Sequence, residues 1–181
     1  MIISKTPYRL SFFGGGTDYP SWLNNNDGIV MSTTINKFIY ISLNTKPSMF
    51  HKEYRLVYKH IENKKKIRQI KHPSIRECLN YFKVKPGVEL FYMGDLPARS
   101  GLGSSSAFTV GLLNCLNALK KNKISKKKLA EEAIFIEQKV LRENVGSQDQ
   151  ISTSFGGFNI IKFKKNNFSV NQIKMTNNLL N

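Results

Sequence analysis

The chain has 181 residues, with 28 Lys or Arg against 12 Asp or Glu, so its formal net charge is +16. That length suits one domain, or one domain and part of a second, and a hydrophobic fraction of 40% excludes a wholly disordered chain. The two cysteines, Cys78 and Cys115, have no second Cys or His at ligand spacing, which excludes a disulfide framework and a zinc knuckle.

The first half of the chain has the patterns of strands. Runs of β-branched and aromatic residues predict strands over residues 2–4 and 9–13, which flank Pro7, and over 54–58. Residues 29–35 and 38–43 are expected to form a hairpin through Asn36-Lys37. A charged loop is expected over residues 62–66, followed by a helix over 73–82 and a strand over 88–93.

Helices dominate the second half. An apolar helix is predicted over Ser104–Leu119, and Ser125 is expected to cap another that continues to about Arg142. A short helix over residues 149–155 ends at Gly156-Gly157, and a strand follows over 158–163. Strands that come first and helices that come later, without regular βαβ alternation, favour an α+β domain.

The sequence gives no sign of a membrane protein. Its start, MIISKTPYRL, lacks the apolar run of about 7–15 residues that a secretory signal needs. Residues 100–119 carry no charge, but their apolar part, 107–119, is shorter than the ~17–25 residues of a membrane span. We therefore expect a cytoplasmic protein with no membrane partner.

The basic excess leaves two interpretations of the surface. The cations comprise 22 Lys and only 6 Arg, and the chain also has 18 Asn. Arg, which makes the bidentate contacts with bases, is thus scarce, and the lysines are scattered through loops, with small clusters at 64–66, 120–123 and 126–128. A solvated basic surface is favoured, and an anionic partner such as RNA is the alternative.

The strongest motif lies between a predicted strand and the apolar helix. Glycines let backbone N–H groups approach an anion, and a helix N-terminus supplies unpaired donors and a positive dipole end. Serine hydroxyls can donate to phosphate or bind magnesium. The alternative is a serine cap on a buried helix after a glycine turn. The candidate phosphate-binding residues are Pro97, Ser100, Gly101, Leu102, Gly103, Ser104, Ser105 and Ser106.

Two further motifs bring charged groups beside glycines. Arg9 precedes Phe13-Gly14-Gly15-Gly16-Thr17-Asp18-Tyr19, which forms either a substrate-binding strand end or a tight turn in which Asp18 bonds its own loop. Glu137 precedes Val145-Gly146-Ser147-Gln148-Asp149-Gln150, in which Asp149 is a catalytic base or only a favourable charge at a helix start.

Together, in this order, the three motifs resemble those of the GHMP small-molecule kinases, a family that includes galactokinase, homoserine kinase and mevalonate kinase. Residues 9–20, 100–106 and 145–150, with the following Phe155-Gly-Gly-Phe158, are most similar to the branch of D-glycero-D-manno-heptose 7-phosphate kinases. The resemblance covers residues 2–163. It implies the N-terminal domain of that family, whose fold is like the second domain of ribosomal protein S5.

The resemblance also implies a role for each matching residue. The loop from Pro97 to Ser106 would bind the phosphates of ATP, with Ser105 and Glu137 as the magnesium ligands. Asp149 would take or orient the proton of the acceptor hydroxyl, and Arg9 would offset charge on the transferring phosphoryl group. Asp18 would hydrogen-bond sugar hydroxyls, in a substrate site completed by Gly15, Gly16 and Thr17.

The sequence departs from the family in two places. Galactokinases have Glu-His where this chain has Gly15-Gly16, so galactose is disfavoured and a larger phosphorylated sugar is admitted. The family's third glycine-rich motif does not occur in these 181 residues, so we expect that the family's C-terminal domain is missing. We expect a GHMP N-terminal domain over 1–165, and over 166–181 a polar tail or the start of a truncated C-terminal half.

The resulting expectation is the ATP-binding half of a kinase that acts on the anomeric hydroxyl of a heptose 7-phosphate. ATP and Mg²⁺ are the expected cofactors, a sugar phosphate the small-molecule partner, and a separately encoded C-terminal half a further one. A kinase for another sugar, fucose- or galactose-like, is one alternative. A catalytically inactive basic module that binds anions or RNA on the same fold is another.

Overall fold

The structure is a computed structural model, and it describes residues 1–46, 53–97, 100–165 and 167–174. The strands are β1 (Ile2–Phe13), β2 (Gly28–Thr45), β3 (Tyr54–Val57), β4 (Ile61–Lys64), β5 (Val88–Gly94), β6 (Phe158–Lys164) and β7 (Asn167–Ile173). The α-helices are α1 (Pro20–Leu23), α2 (Pro73–Tyr81), α3 (Ser104–Leu119), α4 (Lys126–Ile134) and α5 (Gln148–Phe155). A 3₁₀ turn covers Ile67–Gln69, and a π-helical segment, Phe135–Val140, continues α4.

The seven strands form one sheet, in the order β4-β3-β5-β2-β6-β7, with β1 paired to β2. All the pairs are antiparallel except β3 with β5. This arrangement confirms the α+β class that the sequence predicts. Among the described residues, no helix is long and apolar enough to cross a membrane.

The predicted hairpin at Asn36-Lys37 is wrong. β2 runs without a break through these residues, and β1 pairs with it from Met31 to Leu43. Its other edge pairs first with β6 and then with β5. The buried residues of β2 have even numbers where it pairs with β6 and odd numbers where it pairs with β5. The two halves of β2 are therefore separated by a shift in which side chains face the core, and not by a turn.

Two other strand predictions need correction. The two strands predicted on either side of Pro7 form one strand, β1. The pairing of β1 with β2 is irregular between Pro7 and Arg9, and a proline, which has no N–H to donate, is tolerated at such a position. The charged loop expected over residues 62–66 begins instead as β4, where Glu62 is buried and accepts hydrogen bonds from the Tyr58 hydroxyl and the Lys71 backbone.

The helical predictions are confirmed. α3 has the predicted bounds, and the Ser125 side chain accepts the Lys128 backbone N–H at the start of α4. Residues 167–173, expected in a polar tail or the start of a truncated C-terminal half, pair with β6 as β7 and extend the sheet.

The main core lies between the sheet and the buried helix α3. Fully buried side chains from β1, β2, β5, α2 and α3 form it, among them Tyr8, Ile41, Leu90, Leu79 and Leu112. A smaller cluster joins β2 and β6 to α4 and α5. Because the main core fixes α3 and the smaller cluster fixes α5 against the sheet, the start of each helix has a defined position relative to β1.

Candidate active site

The glycine-rich loop leads directly into α3. Gly101 and Gly103 have φ of +75° and +71°, a left-handed conformation that glycine adopts without strain. A Cβ added at Gly103 would lie 2.9 Å from the Cγ of Arg9, so this position also needs the absence of a side chain. The loop thereby presents the N-terminus of a 16-residue helix, whose first N–H groups have no intrahelical partner.

The remaining loop residues differ in exposure. Pro97, Ser100 and Ser105 are exposed, Leu102 and Ser104 are half-buried, and Ser106 is buried. Ala98 and Arg99, inside the predicted loop, lie outside the described residues. The exposed hydroxyls leave this side of the loop accessible to a polar ligand.

Arg9 and Asp149 form a two-point ion pair beside the loop. Arg9 Nε donates to Asp149 Oδ1 at 2.6 Å, and Arg9 Nη2 donates to Asp149 Oδ2 at 2.8 Å. Arg9 Nη1 donates to the Gly101 carbonyl at 2.8 Å, and its backbone N–H donates to the Leu102 carbonyl at 3.1 Å. The structure thus brings the two predicted catalytic residues together at the predicted phosphate loop.

Asp18 is fully buried and binds backbone groups. Its Oδ1 accepts the Gly16 N–H at 3.0 Å, and its Oδ2 accepts the Gln148 N–H at 2.9 Å. A Cβ on Gly146 would lie only 2.0 Å from the same Oδ2. In this geometry Asp18 joins the glycine turn to the segment that precedes Asp149, and it offers no exposed surface to a sugar hydroxyl.

The turn between β1 and α1 is tight on one side and open on the other. The Thr17 hydroxyl donates to the Gly14 carbonyl at 2.8 Å and accepts the Ile29 N–H at 3.2 Å, so Thr17 holds the turn closed. A Cβ on Gly15 would meet Gln148 Nε2 at 3.5 Å, an ordinary contact, and one on Gly16 would meet nothing within 4 Å. The space beside Gly16 is therefore open, and the space beside Gly15 is bordered by the Gln148 side chain.

Glu137 lies in the π-helical segment and is buried, with only 1% of its surface exposed. Its Oε2 accepts hydrogen bonds from the Ser106 hydroxyl, at 2.8 Å, and from the Gln150 amide, while its Oε1 has no hydrogen-bond partner. Burial raises the pKa of Glu137, although the neighbouring Thr109, Ser106 and Gln150 side chains oppose this rise.

Of the neighbouring serines, it is Ser106, and not the predicted magnesium ligand Ser105, whose hydroxyl donates to Glu137. In the described part of the chain, no group of three or more His, Cys, Asp or Glu could hold a metal. Mg²⁺ typically takes one or two protein carboxylates together with substrate phosphates. The unpaired Oε1 of Glu137, beside the phosphate loop, fits that requirement.

The sequence interpretation missed the contribution of two glutamines. The Ser11 hydroxyl donates a hydrogen bond to Gln148 Oε1, with an oxygen–oxygen distance of 2.7 Å, and this bond fixes β1 to the start of α5. Gln150 donates to Glu137 on the buried side of the same helix. Both glutamines belong to the Gly-Ser-Gln-Asp-Gln motif and lie directly before and after Asp149. That position beside a candidate catalytic residue was the sequence signal that could have indicated their role.

The chain resembles kinases of known sequence and structure. It is 29% identical over 186 aligned residues to a D-glycero-alpha-D-manno-heptose 7-phosphate kinase of Campylobacter jejuni, with 97% of this chain and 55% of that protein covered. A galactokinase of Actinobacillus pleuropneumoniae is 26% identical over 162 residues, with 83% of this chain and 40% of that protein covered. The chain thus spans about half the length of the curated relatives it matches.

The fold matches as well. The crystal structure of a D-glycero-D-manno-heptose 1-phosphate kinase from Bacteroides thetaiotaomicron superposes with a TM-score of 0.86 at 25% identity, covering 97% of this chain and 61% of that one. The sequence profile described as GHMP kinases N terminal domain matches residues 66–157, a range that contains the glycine loop, Glu137 and Asp149. The chain therefore belongs to the GHMP kinase family.

Proposed function

We propose that this chain is the nucleotide-binding half of an ATP-dependent sugar kinase that phosphorylates the anomeric hydroxyl of a D-glycero-D-manno-heptose 7-phosphate. The observation that carries the proposal is the two-point Arg9–Asp149 pair, which is hydrogen-bonded to the glycine loop at the start of α3. Phosphoryl transfer requires a group that orients the acceptor hydroxyl, a cation and a phosphate-binding loop in close proximity, and Asp149, Arg9 and the glycine loop would supply these three parts.

The nucleotide phosphates would lie at Gly101–Ser106. The N–H groups of the first turn of α3 and the exposed hydroxyls of Ser100 and Ser105 would donate to phosphate oxygens. Farther along α3, the Phe108 ring packs against the Tyr92 and His72 rings and so fixes the helix against its neighbours. The described part of the loop, Gly101–Ser106, would then hold its conformation before a ligand binds, which would reduce the entropy lost on binding.

Asp149 would take or orient the proton of the acceptor hydroxyl. Both of its carboxylate oxygens accept from Arg9, which fixes the orientation of the carboxylate. The Arg9 guanidinium would offset negative charge on the phosphoryl group as it moves from nucleotide to sugar. Positioning and charge neutralisation of this kind supply most of the catalysis in phosphoryl transfer.

The acceptor would occupy the open space beside Gly15 and Gly16. Nothing lies within 4 Å of a Cβ added at Gly16, and Gln148 makes only an ordinary contact at Gly15, which favours a substrate larger than galactose. Thr17 and the buried Asp18 would act by holding the turn in place, and a direct contact of Asp18 with sugar hydroxyls would require the turn to open. The heptose 7-phosphate kinase from Campylobacter jejuni, as a relative, supports the same class of substrate.

Magnesium bound with the nucleotide would neutralise charge on its phosphate oxygens. Glu137 would hold that ion through Oε1, with the exposed Ser105 hydroxyl as the second protein oxygen. Ser106 and Gln150 would keep the Glu137 carboxylate in place by donating to Oε2.

Calorimetric titration of the chain with ATP in magnesium tests the nucleotide site directly. We expect Gly103→Ala to abolish binding, because the new Cβ strains the loop and meets Arg9. Gly156→Ala is the control for backbone strain, since Gly156 lies outside the glycine loop, has open space around it and also has a positive φ, +69°. Its ψ of 166°, against 27° at Gly103, makes alanine at least as strained there, so thermal unfolding of both variants checks that they remain folded. Equal loss in both variants, or no ATP binding by the parent, would contradict the proposal, and a steep salt dependence of RNA binding would favour the alternative module.

A second assay tests transfer. The chain is supplied with ATP, magnesium and heptose 7-phosphate, alone and joined to the C-terminal half of the Campylobacter jejuni relative, and ³¹P NMR follows the sugar 1-phosphate. We expect transfer only in the joined form, with galactose and fucose as poorer acceptors. Transfer by the chain alone would show that the acceptor site lies wholly within it.

A further inference from the structure

A cavity of about 420 Å³ lies between α1, the π-helical segment and the β6–β7 turn. It is separate from the glycine loop, and none of the roles described above uses its interior. Its walls combine a basic rim with an apolar floor. The described lining residues that matter here are Leu23, Ile134, Phe163 and Phe168 on the floor and Lys139, Lys164 and Lys165 on the rim.

The rim has a positive charge that the described protein groups do not neutralise. Lys139, Lys164 and Lys165 are exposed, and in the described ranges none of them forms an ion pair with an acidic side chain. Glu131 also lines the cavity, but it lies 3.8 Å from Lys128, which is its ion-pair partner. A ligand with an anionic group would therefore complement the rim.

The apolar floor of the cavity favours a ligand that also has an apolar part. Phe163 is buried, and Leu23, Ile134 and Phe168 are packed against the second core cluster. The hydroxyls of a sugar that face these four side chains would have no hydrogen-bond partner there, a penalty of about 1–3 kcal/mol for each such buried group. An aliphatic or aromatic body would instead gain from contact with the same side chains.

We propose that this cavity binds a small organic anion with an apolar body, such as an alkyl or aryl phosphate or carboxylate. The anionic group would lie among the three lysines, and the apolar part would lie on the floor. Sites of this size and mixed lining are typical of small-molecule pockets, which are mostly apolar with a few polar groups that fix the orientation.

An occupant would also contact the segment that leads to Asp149. Gln138 and Ser147 line the cavity, and the Gln138 amide donates to the Val145 carbonyl at 2.9 Å and to the Ser147 hydroxyl at 3.1 Å. Ser147 directly precedes α5. Binding should therefore change the amide resonances of Ser147 and Gln148 as well as those of the lining residues.

NMR titration of the ¹⁵N-labelled chain with hexyl phosphate tests the proposal. Glucose 6-phosphate, which has the charge without the apolar body, and hexanol, which has the body without the charge, are the comparison ligands. We expect saturable shifts at the cavity and at Ser147 with hexyl phosphate, and at least ~10-fold weaker binding of the other two, equivalent to ~1.4 kcal/mol. Shifts confined to residues that do not line the cavity, such as those of the glycine loop, would overturn the proposal.

A charge-matched pair of variants completes the test. Replacing Lys139, Lys164 and Lys165 together by Gln should weaken hexyl phosphate binding at least ~10-fold, whereas the same change at the exposed Lys120, Lys121 and Lys123 should leave it unchanged. Thermal unfolding of both variants checks that they remain folded. Equal weakening in the two would mean that net charge, and not the cavity, attracts the ligand. Equal binding of glucose 6-phosphate would contradict the apolar requirement.

Discussion

Arg9 and Asp149 are 140 positions apart in the sequence, yet two hydrogen bonds of 2.6 and 2.8 Å join their side chains. Arg9 lies beside the irregularity of the β1–β2 pairing, and Asp149 lies in the first turn of α5. The same guanidinium donates to the Gly101 carbonyl. One arginine therefore connects a strand, a helix and the glycine loop, and its replacement should affect all three.

Asp149→Asn should reduce phosphoryl transfer by the joined two-half enzyme by at least ~10²-fold, because an amide cannot accept the hydroxyl proton. ATP affinity should stay within about twofold, since the loop residues that would hold the phosphates are unchanged. Single-turnover assays and calorimetric titration measure the two quantities. Turnover equal to that of the parent would exclude Asp149 as the base.

Arg9→Lys should keep the positive charge but lose the two-point geometry, because an ammonium group cannot span both Asp149 oxygens and the Gly101 carbonyl together. We expect the free energy of unfolding to fall by about 1.5–3 kcal/mol, the range for hydrogen bonds to charged groups. Arg55→Lys is the control, since Arg55 is half-exposed and lies 3.7 Å from Glu89. Urea unfolding that gives the same loss for both variants would contradict a special role for Arg9.

The elements that the sequence predicts correctly are those set by local signals. α3 begins after Gly103 and remains apolar to Leu119, and Ser125 caps α4 through its own side chain, so three or four neighbouring residues determine each helix start. β2 was misjudged because its two halves have different partners, and only the tertiary structure shows that the strand continues. β7 was missed because its residues are mostly polar and gain order from pairing with β6.

In the candidate site, too, local motifs were predictable from sequence and long-range contacts were not. The glycine loop and the identities of Arg9 and Asp149 follow from motifs, but the burial of Asp18 does not. One of the two N–H groups that Asp18 binds belongs to Gln148, 130 positions away. The position of Ser106 against Glu137 likewise depends on the packing of α3 against the π-helical segment. Residue types could thus be assigned from sequence, whereas their contacts could not.

Gly146→Ala should destabilise the chain strongly, because the new Cβ would lie 2.0 Å from the buried Asp18 carboxylate. Overpacking of this kind typically costs 1–3 kcal/mol, so we expect a loss of at least about 2 kcal/mol. Gly15→Ala, whose Cβ would make only an ordinary 3.5 Å contact, should change the stability by less than about 1 kcal/mol. Chemical unfolding compares the two, and a tolerated Gly146→Ala would show that Asp18 is not held at Gly146.

Glu137→Gln and Ser105→Ala should each raise the magnesium concentration needed for nucleotide binding, because each removes an oxygen ligand. Ser106→Ala should have a smaller effect, since Ser106 donates to the opposite oxygen of Glu137. Titration of ATP binding against magnesium measures all three. If Ser106→Ala has the larger effect and Ser105→Ala none, the assignment moves to Ser106.

Glu137→Gln should also stabilise the ligand-free chain at pH 7. Burial raises the pKa of Glu137, and the nearby Glu143 charge adds to the rise, so the folded state holds this proton more tightly than the unfolded state. The parent therefore loses stability as the pH rises from below the ordinary value of 4.5 through the pKa of the folded chain, and at pH 7 it bears the full penalty of a buried charge.

Glutamine removes the charge and retains an acceptor for Ser106 and Gln150, so the variant should have the higher Tm at pH 7, and the difference should shrink toward pH 4. Glu131→Gln, at an exposed position, is the control and should leave the Tm unchanged at both pH values. Such a gain in stability, together with weaker magnesium-dependent nucleotide binding, is expected where a buried charge is kept for binding and not for folding. A lower Tm for Glu137→Gln at pH 7 would show that the hydrogen bonds of the carboxylate outweigh the cost of burying it.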